Sequence, residues 1–130
     1  MIALNIFLFC GRGAKIGIKS AVPHSSKAIV NDDKIYKYYL QEGREHYKEF
    51  YDVGYRKENG EQLRQDLING LMNNPAEMYE RDETGYQKAI VYMELGIDKK
   101  RQFKTVWGKK DGEKYFKNVT AYRYSSKRKK

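Results

Sequence analysis

Apolar and polar positions alternate most regularly in the second half of the chain, where the pattern predicts strands. Tyr86–Leu95 places Ala89, Val91 and Met93 on one face, and Gln102–Trp107 does the same with Phe103, Thr105 and Trp107. Lys114–Tyr124 puts Tyr115, Lys117, Val119, Ala121 and Arg123 on one side, and Phe116, Asn118, Thr120, Tyr122 and Tyr124 on the other. A shorter strand, Ala76–Glu80, precedes them. The turns Asp82-Glu83-Thr84-Gly85 and Lys110-Asp111-Gly112 are short, which makes the strands antiparallel neighbours. Upstream the period changes. Leu63, Leu67, Ile68, Leu71 and Met72 form a buried helical stripe within Glu61–Asn73, ended by Asn73-Asn74-Pro75. Shorter helices are predicted over Lys34–Gln41, with Ile35, Tyr38 and Tyr39 on one side, and over Arg44–Asp52, which Gly54 stops. Ile2–Phe9 reads as a buried strand, with a helix as its alternative by pattern. A glycine-rich connection leads from it into Ile16–Lys19. The fold class is α+β, with N-terminal helices packed on a four-stranded antiparallel sheet. Residues 1–26 form a strand and linker segment, 27–124 the domain, and 125–130 a disordered basic tail.

At 130 residues the chain is one domain by length, long enough for a single core. Charge changes the picture more than size does. Residues 99–130 carry 13 Lys and Arg against Asp111 and Glu113, a net of +11, while residues 1–98 sum to −2. That asymmetry points to a polyanionic partner: nucleic acid, an acidic protein or an anionic surface. The first apolar run is about eight residues long, too short to span a bilayer, and no membrane role is expected. Cys10 is the one cysteine, which excludes an internal disulfide, and no Cys/His cluster suggests zinc.

The candidate chemistry is sparse. His24 and His46 are the two histidines, and a histidine is the natural acid or base near neutral pH. The acidic pairs Asp32-Asp33 and Asp82-Glu83 are explained as caps and turns, so no two-metal set is apparent and no cofactor is expected. RNA carries its own nucleophile, the 2′-hydroxyl, so a metal-free nuclease needs a base, an acid, and cations or hydroxyls around the phosphate. His46, Lys48, Lys27, Thr105, Thr120, Tyr122 and Arg123 are residues of the right types. Trp107, Tyr115, Tyr122 and Tyr124 lie among Lys104, Lys109, Lys110, Lys117 and Arg123, the mixture of stacking planes and cations that holds single-stranded RNA. A sheet with solvated lysines at its turns has the same composition. Two other readings therefore stand beside a nuclease: a non-catalytic nucleic-acid-binding module, and a basic domain that docks an acidic protein.

Several short strings stand out: Lys34, Tyr38 and Leu40 on a helix, then His46, Lys48 and Phe50, then Thr105-Val106-Trp107 and Val119-Thr120-Ala121-Tyr122 in the last two strands. In this order they resemble small ribonuclease toxin domains of the barnase–EndoU–colicin D–RelE-like group. The resemblance covers about residues 27–124. Such domains form C-terminal modules of bacterial polymorphic toxins or of phage head-associated proteins. The resemblance implies metal-independent RNA cleavage, often of tRNA, inside a target cytoplasm, with an acidic cognate immunity protein as inhibitor. It carries over His46 as acid or base, Lys48 at the phosphate, and Thr105, Thr120 and Tyr122 around the substrate. Lys27, Trp107 and Arg123 are added as substrate contacts, Arg123 from charge and position alone.

Overall fold

A computed structural model describes residues 15–124, with side chains described from residue 21 onward. The Ile2–Phe9 strand, the start of the glycine-rich connection and the basic tail lie outside the described residues.

The antiparallel sheet holds the four expected strands and one more. In chain order they are β1 (Lys15–Ser20), β2 (Ala76–Tyr79), β3 (Gln87–Leu95), β4 (Arg101–Lys109) and β5 (Lys117–Arg123), and they lie side by side in that same order. The added strand, β1, takes the edge beside β2. Two α-helices precede β2: α1 (Tyr47–Asp52) and α2 (Gly60–Asn73). The Lys34–Tyr39 segment, predicted as ordinary helix, is a π-helix closed by the Leu40 N–H to the Ile35 carbonyl at 2.9 Å. Its wider turn buries Ile35, Tyr39 and Leu40 together and leaves Tyr38 45% exposed, so Tyr38 does not join the buried side.

Cross-strand rows define two faces. Val91–Thr105–Ala121 and Met93–Phe103–Arg123 run across the face that meets the helices. Leu63, Leu67 and Leu71 of α2 are buried, while Met72 of the expected stripe is exposed. The α2 backbone lies so close to β3 that a Cβ on Gly70 would sit 2.3 Å from Met93 Sδ. Phe50 fixes α1 to the sheet, with its ring 5.0 Å from Phe103 and 4.8 Å from Tyr39. Tyr55 ties the layers at one end. Its hydroxyl donates to Asp66 of α2 at 2.5 Å and accepts the Gly96 N–H at 3.2 Å. Burial first, then the Asp66 carboxylate, push that hydroxyl's pKa far up, so it stays a donor.

Gly96 opens the β3–β4 connection with φ +151°, and a Cβ there would stand 1.8 Å from the Lys99 carbonyl oxygen. A backbone atom cannot swing aside as a side-chain tip can. Gly96→Ala is therefore expected to destabilise the domain by about 2 kcal/mol or more, read as a lower urea midpoint at unchanged slope. An unchanged midpoint would contradict this connection's geometry.

The β5 strand does not keep the simple alternation of its sequence. Val106 pairs with Thr120 and Trp107 with Asn118, so Val119 is an extra residue in a bulge. Asn118 and Ala121 both turn inward as a result, although alternation assigned them to opposite faces. The Asn118 amide bridges the irregularity, donating to the Val106 and Thr120 carbonyls at 3.3 Å each.

Candidate active site

Two local irregularities face one another and form a cleft. The π-helix supplies Lys34 and Tyr38, the following loop supplies Gly43, Arg44, Glu45 and His46, and the bulge supplies Val119 and Thr120. The cleft has a volume of about 370 Å³. The buried Tyr39 hydroxyl locks its two walls together by donating to Asn118 Oδ1, the residue that spans the bulge. Burial raises the Tyr39 pKa well above the tyrosine range, so the lock is a neutral donor. Irregular backbone of both kinds recurs at functional sites because it re-aims side chains that a regular element would hide. Here it turns out Tyr38, and also Val119, which is 39% exposed.

Cations and a titratable pair occupy the cleft. The Arg44 guanidinium lies 4.3 Å from the centre of the Tyr38 ring and the Lys34 ammonium 5.3 Å from it. His46 precedes α1 and stacks on Tyr122 of β5, with centroids 5.3 Å apart and planes 24° apart. Its Nδ1 is buried 3.1 Å from Glu49 Oε1, and its Nε2 lies 3.9 Å from Glu45 Oε2. The Glu49 carboxylate is itself fixed by the Arg123 backbone N–H at 2.9 Å. The imidazole lies between the Tyr122 ring and the Glu49 carboxylate, its buried Nδ1 makes no hydrogen bond to that carboxylate, and its side chain keeps 27% exposure. Such an arrangement can exchange protons with a bound group and hold an anion beside it. Among the described residues no group of three His, Cys, Asp or Glu side chains is placed to hold a metal ion.

The expected site residues separate into two sets. His46, Thr120 and Tyr122 come together across about 75 residues of chain. Thr105 and Trp107 do not join them. Both are 0% exposed on the helix-facing side of β4. The Trp107 indole N–H donates to Thr105 Oγ1 at 2.8 Å, and the Thr105 hydroxyl donates to the Val91 carbonyl at 2.7 Å. Both side chains are enclosed in the core with their polar atoms paired, so the structure does not bring the expected substrate contacts Thr105 and Trp107 to the cleft. Lys48 is exposed on α1, and Lys27 is exposed on the 3₁₀ turn Ser25–Lys27; neither lines the cleft. Arg123 points to the helix side, where its guanidinium pairs with Asp52 at 3.2 Å. Asp52 also holds Lys99 at 3.4 Å, and Glu113 holds Lys117 at 3.1 Å. Part of the positive charge of the second half is therefore bound to acids.

Sequence reading missed Arg44, Lys34 and Tyr38 as cleft residues. The string Arg44-Glu45-His46 carries a weak signal, since it sets a cation and a carboxylate beside the histidine. Lys34 and Tyr38 enter the sequence reading only within the resembling strings and without a role in the site, because an ordinary helix would have turned Tyr38 inward.

Residues 21–125 match the model of a family described as a domain of unknown function, DUF6883. The chain belongs to the DUF6883 family. The matched region contains every residue that lines the cleft and all of the sheet except β1. No curated protein and no solved structure matches the chain. In this DUF6883 chain no helix among the described residues is long and apolar enough to cross a membrane.

Proposed function

We propose that this DUF6883 domain is a metal-independent endoribonuclease of toxin type, acting on RNA, with tRNA among its substrates. The observation that carries the reading is His46, stacked on Tyr122 at a cleft that also presents Lys34 and Arg44. The resemblance of its short strings to the barnase–EndoU–colicin D–RelE-like group supports it, as does the net charge of +9.

In this reading the scissile phosphate lies between Arg44 and Lys34, which offset its charge as it becomes pentacoordinate. Glu45 and His46 are the base and the acid. The base takes the proton of the 2′-hydroxyl, whose oxygen bonds to phosphorus. The bond from phosphorus to the 5′-oxygen of the next nucleotide breaks, and the acid protonates that oxygen. The products are a 2′,3′-cyclic phosphate and a free 5′-hydroxyl. Thr120 donates a hydrogen bond to the phosphate or the neighbouring base. An acidic immunity protein would silence such a domain by covering Lys34, Arg44 and Tyr38.

Incubation of the purified domain with total RNA, with and without EDTA, tests the reading. Cleavage is expected in both, leaving 2′,3′-cyclic phosphate ends. Loss of cleavage in EDTA would overturn the metal-free mechanism. Salt-dependent binding with intact RNA after long incubation would instead establish a non-catalytic binding module.

A further inference from the structure

The sheet face opposite the helices is not a continuation of the core. Tyr92, Lys104 and Tyr122 stand in one row across β3, β4 and β5. Tyr124 follows Tyr122 and brings its ring to 4.8 Å from that of Tyr92, with 39% exposure. The Lys104 ammonium sits 6.0 Å from the centre of the Tyr122 ring. The next row, Ile90–Val106–Thr120, ends in a cleft residue. Beyond it Lys88 lies over the Tyr79 ring at 4.6 Å.

We propose that this face is a stacking platform for two or three bases of a single-stranded RNA, which it delivers to the cleft beside His46. The choice of RNA rests on the ribonuclease reading; the platform itself rests on the aromatic row. Tyrosines offer flat planes to any base at small conformational cost, and Lys104 supplies charge to the intervening phosphates. In a duplex the base faces are stacked on one another, so the platform selects single strands. Continuity argues for delivery, since Tyr122 carries His46 and Thr120 belongs to both the sheet and the cleft. An acidic protein fits less well. Lys88 and Lys104 share the face with Glu77 and Glu94, so aromatic planes rather than net charge distinguish it.

Binding is measured in EDTA with a fluorescent 2′-O-methyl RNA of about ten nucleotides, which 2′-hydroxyl chemistry cannot cleave, and with its duplex. Tyr92→Ala and Tyr124→Ala are each expected to weaken single-strand binding about tenfold. Tyr92→Phe should stay within about twofold of the parent, because the ring is what stacks. Undiminished single-strand binding by the Ala variants, or equally tight duplex binding, would overturn the platform. A parent that cleaves nothing, yet loses binding on Tyr92→Ala, would keep the platform and remove the ribonuclease reading.

Discussion

His46→Ala is expected to lower RNA cleavage by about 100- to 10,000-fold, the usual contribution of one positioned acid or base. The loss should fall on kcat rather than KM, because Lys34, Arg44 and Tyr38 still hold the RNA. Stability should change little. The side chain is partly exposed, and its neighbours Glu49 and Tyr122 keep other anchors: Glu49 on the Arg123 backbone N–H and Tyr122 within β5. Single-turnover cleavage of a defined RNA, with urea unfolding of the same preparation, separates the two effects. Full activity in the variant would remove His46 from the mechanism, whatever else the domain cleaves.

Trp107→Ala should do the reverse. Trp107 is the largest fully buried side chain, and removing it costs about 3–5 kcal/mol through lost burial and the cavity left behind. That is a large fraction of the 5–15 kcal/mol typical of a whole domain. The lost indole N–H leaves the Thr105 hydroxyl still donating to Val91, so the damage is mainly one of packing. Urea unfolding measures it directly. Cleavage per folded molecule should match the parent under conditions that keep the variant folded. A stable variant with weakened RNA binding would restore the stacking role inferred from sequence and contradict the interior position.

These two residues mark where local sequence is informative and where it is not. Residue type puts both His24 and His46 forward, and the resemblance singles out His46. The resemblance places Thr105-Val106-Trp107 in the candidate site, while alternation identifies two faces without saying which one the helices cover. Thr105 and Trp107 share a face with Phe103, and Phe50 of α1 packs on Phe103, so the whole row is interior. Arg123 illustrates the same limit. Its charge suggested an RNA contact, but Asp52, 71 residues earlier, faces it across the edge of the sheet.

By itself the sequence determined the α2 helix, the four strands β2–β5 with their antiparallel turns and the basic second half, and it put His46 forward as a candidate. Those features follow from period, turn chemistry and residue type, which act over a few neighbouring residues. Only the tertiary structure decided the rest. The β1 strand joins the sheet at β2 across more than 50 residues. The π-helix turns Tyr38 outward because the core accepts Ile35, Tyr39 and Leu40 at once. The bulge at Val119 exists because Asn118 satisfies the interrupted ladder and Tyr39 reaches it from another element. Each of these depends on contacts between residues distant in the chain. The cleft is made of such contacts, so its walls appear only when the chain is folded.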